Sequence, residues 1–221
     1  GGYSNHALFV AREGRLTVPY PWPREADSVL AGAFQGFPGF YATPGEMTAQ
    51  ASHLYTLWLA QSYAGLGLSG LIRFNGVVAL LFLVVFYSFA SRFIPRHFAL
   101  LATLLLALNP AQLYLGRMTL TEGLTQLFLW GGLLVLAVGM EIGRRGLSGL
   151  AGTMIGFTAL IRIDGLLVVP FLLVAGVAMR LLWEREEETP WPGLFAGLFP
   201  AVALGVLNYR FLSEPYFRAL T

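Results

Sequence analysis

IRFNGVVALLFLVVFYSFA, residues 72–90, decides the fold class. From Gly76 to Ala90 it carries no charged side chain. As a helix it nearly matches a hydrocarbon core, which takes roughly 20 residues to cross. Five further apolar segments follow at about Phe98–Leu115, Leu124–Met140, Leu147–Ile161, Gly165–Trp183 and Gly193–Leu212. The second and fourth are short for a full span, so they are expected to be tilted, distorted or capped by protein. Internal glycines such as Gly76, Gly152 and Gly156 suit close helix–helix approach.

Composition agrees. Of 221 residues, 56% are hydrophobic and 12% charged, about half the charged share of a soluble domain. A soluble chain of this length would show polar faces on most helices. The expected fold is an all-α integral membrane protein, a polytopic bundle of about six helices over residues 69–221. Residues 1–68 form a long, helical, Pro/Gly-rich outer loop before it.

The chain has no Cys, which excludes disulfides and thiolate chemistry. Every basic residue is Arg, which excludes lysine Schiff bases and the P-loop lysine. No basic block points to a nucleic-acid partner. The chain opens without Met and ends just after an apolar run, and reads as a fragment of a longer protein.

Within the outer loop, SNHALFVARE reads as a short helix with Ser4 or Asn5 as N-cap. Pro19, Pro21, Pro23, Pro38 and Pro44 break any long helix after it. MTAQASHLYTLWLAQSYAGLG, from Met47, reads as a juxtamembrane helix with Tyr55, Trp58 and Tyr63 in the headgroup zone. The acidic run Glu184–Glu188 reads as a solvated loop.

Arginine placement sets the expected orientation. Arg92 and Arg96, Arg144 and Arg145, and Arg180 and Arg185 mark the first, third and fifth connections as cytoplasmic. The N-terminal segment, the Arg117/Glu122 loop and the Arg162/Asp164 turn then share the non-cytoplasmic side. That requires something upstream to carry the N-terminal segment across, a membrane helix before Gly1 being the simplest candidate. In a prokaryote the membrane would be the plasma membrane.

Those outer charges carry the candidate chemistry. Thr119-Leu-Thr-Glu122 fits a capping box, and Glu122 also meets a positive helix end. The same carboxylate, facing a cavity, would accept a proton from an attacking hydroxyl. Arg117 would either snorkel to the headgroups or bind a phosphate bidentately. Arg162 and Asp164 stand between apolar segments with almost no loop, where ionisable groups usually face an interior or a watery cavity. The plain alternative is local charge balance at a helix break. Glu46 and His53 border the juxtamembrane helix. Three histidines without paired spacing make no zinc site.

Four stretches taken together resemble the membrane glycosyltransferases of the GT-C fold, close to protein O-mannosyltransferases and the aminoarabinose transferases of lipid A. They are GGYSNHALFVAREG, SHLYTLWLAQSYAGLGLSGLIRFNGVVALL, NPAQLYLGRMTLTEGLTQLFLW with its R-x-x-x-x-E, and ALIRIDGLLVVP. The resemblance implies a hexosyl- or pentosyltransferase. It would use a sugar carried on polyprenyl phosphate and, with inversion, a protein, lipid or glycan acceptor hydroxyl. Glu122 and Glu46 would be catalytic, and Arg117, Arg162, Asp164, His53 and Tyr3 would bind substrate. No cofactor is implied beyond a divalent metal in some members. The family's leading acidic residue of the first loop would fall at or before Gly1. The Lys-Pro-Pro stretch of the aminoarabinose transferases is matched here only by Ser52-His53-Leu54, without the lysine. The rival reading is a multi-helix transporter or flippase for a lipid-linked substrate, with Arg162 and Asp164 along its path.

Overall fold

The computed structural model describes residues 2–19, 40–43, 46–49, 53–182 and 190–212. A first helix, α1 (Gly2–Glu13), is followed by short strands β1 (Val18–Pro19), β2 (Phe40–Thr43) and β3 (Glu46–Ala49). The bundle comprises α2 (His53–Ala90), α3 (Arg96–Leu108), α4 (Pro110–Arg117), α5 (Glu122–Glu141), α6 (Arg145–Ile161), a 3-10 turn (Ile163–Leu167), α7 (Val168–Leu182) and α8 (Trp191–Leu212). Helices α2, α5 and α8 are long and apolar enough to cross a membrane. The pair α3 and α4, bent by 63°, makes a fourth candidate as a broken span. Leu80, Val84, Leu105, Phe171, Val174 and Phe211 are among many apolar side chains facing outward. Such a surface is consistent with an integral membrane protein.

Over their described residues the six apolar segments all become helical, with the two short ones behaving as their lengths demand. The second breaks at Asn109. Pro110 offers no N–H to continue the ladder, and the Asn109 side chain caps the new helix through the Ala111 amide at 2.8 Å. The fourth, α6, has 17 residues.

Three local expectations need correction. Residues 1–68 are not helical throughout, because β3 pairs antiparallel with both β1 and β2, so Met47–Ala49 is strand. Phe40, Tyr41 and Thr48 are strand formers, and proline breaks any helical alternative. Helix α1 starts at Gly2, so Ser4 and Asn5 lie inside it rather than capping it. Tyr55 is fully buried rather than at a headgroup boundary, whereas Trp58 is exposed. The Pro-rich stretch at 20–39 and the acidic run Glu184–Glu188 lie outside the described residues.

Helix α2 runs through the junction at residues 68 and 69. It bends at Gly67, whose φ of 62° and ψ of −150° suit only glycine. Below the bend, Val78 packs with Leu71, Leu124 and Ile161 in one core. A second core, built on Ala151, Ile155, Leu194 and Leu198, joins α5, α6 and α8. Glycines let these backbones meet. A Cβ on Gly156 would lie 2.6 Å from that of Ala201, and one on Gly131 would lie 2.7 Å from Met154 Cε. The helices alternate in direction, so α1, the α4–α5 connection and the α6–α7 turn gather at one end. At the other end Arg92 and Glu141 form an ion pair.

Candidate functional site at the α1 end

Helix α6 ends at Ile161, and Arg162 leaves it with extended backbone (φ −147°, ψ 142°). That turns its side chain back across the bundle end. Nε donates to Asp164 Oδ1 at 2.8 Å and Nη2 to Oδ2 at 2.8 Å, a bidentate fork. Nη1 pairs with Glu122 Oε1 and lies 3.4 Å from Thr121 Oγ1. One guanidinium therefore joins two carboxylates from different parts of the chain. The fork draws the Asp164 carboxyl below its ordinary range and raises Arg162 above its own.

Glu122 is the first residue of α5, with Thr121 as N-cap and no side-chain cap bond. The expected capping box does not form. Thr119 instead accepts a hydrogen bond from Ser4 Oγ of α1 at 3.0 Å. The Glu122 carboxylate is drawn to Arg162, a stronger partner than a backbone N–H. Its second oxygen, Oε2, is enclosed and has no hydrogen-bond partner among the described residues.

Asn75 fixes the segment leading into Glu122. Its side-chain amide donates to the carbonyls of Met118 and of Leu120, the latter at 3.0 Å. Its oxygen accepts from Tyr55 at 3.0 Å. The Tyr55 ring meets Tyr3 edge-on, with centroids 5.1 Å apart. Thus α1, α2 and the α4–α5 connection form one buried polar clasp beside the ion-pair network. Asn75→Ala should lower the thermal unfolding midpoint in detergent, with a cost of about 2–4 kcal/mol. It leaves a buried hydroxyl and two carbonyls short of partners.

A histidine pair lies beneath α1. His6 Nε2 is 2.7 Å from the Leu16 carbonyl, and its ring is 5.9 Å from that of His53. His53 Nδ1 lies 3.4 Å from Asn208 Oδ1 of α8. Burial lowers the pKa of His6 below its ordinary 6.5. The neutral ring is therefore the form that docks. Its contribution is whole above pH 6.5 and declines as pH falls through that value towards the lower folded pKa. Hydrogen exchange of the α1 amides, corrected for intrinsic rates, should accelerate between pH 7 and 5. His6→Gln should show a smaller acceleration.

The structure brings Glu122, Arg162 and Asp164 together and sets Tyr3 beside them through Tyr55. It does not gather the rest. His53 is buried against His6 and Asn208, outside the ion-pair network. Arg117 is exposed at the end of α4, with no side-chain partner among the described residues. Glu46 opens β3 opposite Pro19 and Thr43, and its side chain lies outside the described residues. Asn75 was missed, although a lone amide within an apolar run is itself a signal of an interior polar contact.

A divalent cation does not fit the acidic pair as it stands. Arg162 already occupies the space between Glu122 and Asp164 with positive charge, and no three His, Asp or Glu side chains converge among the described residues. No family model, curated protein or solved structure matches this chain.

Proposed function

We propose that the protein is a membrane glycosyltransferase of the GT-C kind. It would move a sugar from a polyprenyl-phosphate donor to an acceptor hydroxyl, with inversion, at the α1 end of the bundle. The observation that carries this reading is the Glu122 carboxylate, anchored through one oxygen to Arg162 with its other oxygen enclosed and unpaired. That is the arrangement a general base needs: a fixed rotamer and a vacant acceptor.

In this reading the acceptor O–H bond breaks and its proton passes to Glu122 Oε2. The freed oxygen attacks the anomeric carbon from the side opposite the phosphate. The bond from that carbon to the phosphate oxygen breaks, and its electron pair leaves on the lipid phosphate. The network engages four of the five N–H donors of Arg162, and the remaining Nη2–H is free to meet the departing charge. Tyr3, backed by the buried Tyr55 ring, offers an aromatic surface at the site's margin. Asp164 holds the guanidinium in place from the other side.

The test is to incubate the protein in membranes with a panel of polyprenyl-phosphate sugars and an acceptor mixture. Released polyprenyl phosphate and the anomeric form of the product are then measured. Donor-dependent release with an inverted product is expected. Movement of intact donor between leaflets, without phosphate release, would replace this reading with the transporter.

A further inference from the structure

Two arginines outside the Glu122/Arg162 network, Arg73 and Arg117, are carried by backbones that meet near the same end of the bundle. Gly76 of α2 packs on α4, where a Cβ would lie 3.8 Å from the Gly116 carbonyl. A Cβ on Gly116 would in turn meet Ala79 Cβ at 3.5 Å. Arg73 lies three residues before Gly76, hence one turn nearer the α1 end on a neighbouring line of the helix. Arg117 follows Gly116 directly. The Asn75 bond to the Met118 carbonyl locks this register. Both arginines are exposed, and neither has an ion pair or hydrogen bond to its side chain among the described residues.

Their surroundings are apolar. Ile72 and Val77 flank Arg73 on the outer side of α2, while Leu113, Tyr114 and Met118 flank Arg117, all exposed. Two like charges among outward-facing apolar side chains favour an anion between them. Exposed aliphatic side chains on both flanks favour an anion that brings its own hydrocarbon. Tyr114 adds the amphipathic ring typical of the headgroup level.

We propose that Arg73 and Arg117 form a clamp for the phosphate diester of an anionic bilayer lipid, whose acyl chains lie along the apolar flanks of α2 and α4. The clamp is distinct from the Glu122/Arg162 network and stands independently of the transferase reading. A phosphate diester suits it because guanidinium forks match two phosphate oxygens, and a pair from adjacent helices grips from both sides.

The full chain is purified in mild detergent, and retained lipid is measured by native mass spectrometry during titration with phosphatidylglycerol or phosphatidylcholine. Wild type should prefer phosphatidylglycerol by on the order of thirtyfold, about fivefold for each guanidinium, because both lipids carry the diester but the choline of phosphatidylcholine cancels its charge. Arg73→Gln and Arg117→Gln should each lose most of that preference, and the double variant should bind the two lipids alike. Both residues are exposed, and unchanged helicity and unfolding midpoints verify the fold. Arg73→Lys should retain part of the preference and reports on charge should a glutamine variant unfold. Equal preference in wild type and the double variant overturns the clamp. Displacement of the lipid by millimolar inorganic phosphate also overturns it, because the site would then read phosphate alone. No turnover is read, so the outcome is separate from that of the donor panel.

Discussion

Gly152→Val is expected to prevent assembly of the bundle, at a cost of about 4 kcal/mol or more, while Gly146→Ala in the same helix leaves it intact. A Cβ on Gly152 would strike the Leu194 carbonyl oxygen and stand 2.8 Å from its carbon and 2.9 Å from the Leu198 amide nitrogen. Those are backbone atoms of α8, which cannot step aside as a flexible side chain can. Ordinary overpacking costs about 1–3 kcal/mol because neighbours repack. Here Gly197 meets the Gly149 backbone one turn away and Gly205 lies against Ala159, so one displaced contact forces apart the whole α6–α8 seam. Around a Cβ on Gly146 there is open space within 4 Å, and Ala is the better helix former. The measurement is the yield of monodisperse protein in detergent, with the unfolding midpoint of whatever folds. Wild-type yield and midpoint in Gly152→Val would show that the seam does not hold the bundle.

That seam also matters for the site. Helix α6 delivers Arg162 from its last turn, and α8 delivers Asn208 to His53. If the seam opens, the guanidinium loses its fixed relation to Glu122. The Arg162→Gln exchange, by contrast, removes the guanidinium and leaves the seam untouched. The two substitutions therefore separate loss of scaffold from loss of chemistry.

The apolar segments and the close-packing glycines were legible because hydrocarbon thickness and backbone approach act directly on composition. Gly76, Gly152 and Gly156 each meet a neighbouring helix. The Arg162/Asp164 turn was legible too, since two charges between apolar segments demand a local answer. What did not follow was partner choice across the chain. Thr119-x-x-Glu122 satisfies a local capping rule, yet Asn75 grips the Met118 and Leu120 carbonyls and delays the helix start to Glu122. The Glu122 carboxylate then pairs with a guanidinium 40 residues away, a contact no spacing rule contains. Arg117 matched a motif by spacing, but the bundle leaves it exposed at the end of α4, outside the ion-pair network. The strands around Glu46 were hidden because each of the pair at 40–43 and 46–49 has four residues, too few to establish a hydrophobic period.

Glu122→Gln should reduce turnover by about 10²–10⁴-fold with the donor that supports it, the usual contribution of a positioned base. An amide of the same shape keeps a hydrogen bond to Arg162 but accepts no proton. Arg162→Gln should also be severe, because Glu122 loses its anchor and the departing phosphate loses a donor. The double variant should fall little below the worse single, since each residue acts through the other. Stability is expected to behave differently. The two side chains are 32% and 37% exposed. An ion pair so placed contributes about 1 kcal/mol or less after solvent screening. Unfolding midpoints should therefore shift slightly while turnover collapses. A catalytic network predicts that split, and a structural clasp does not. If turnover instead declines only in proportion to the folded fraction, Glu122 and Arg162 are a clasp and the base must be sought elsewhere.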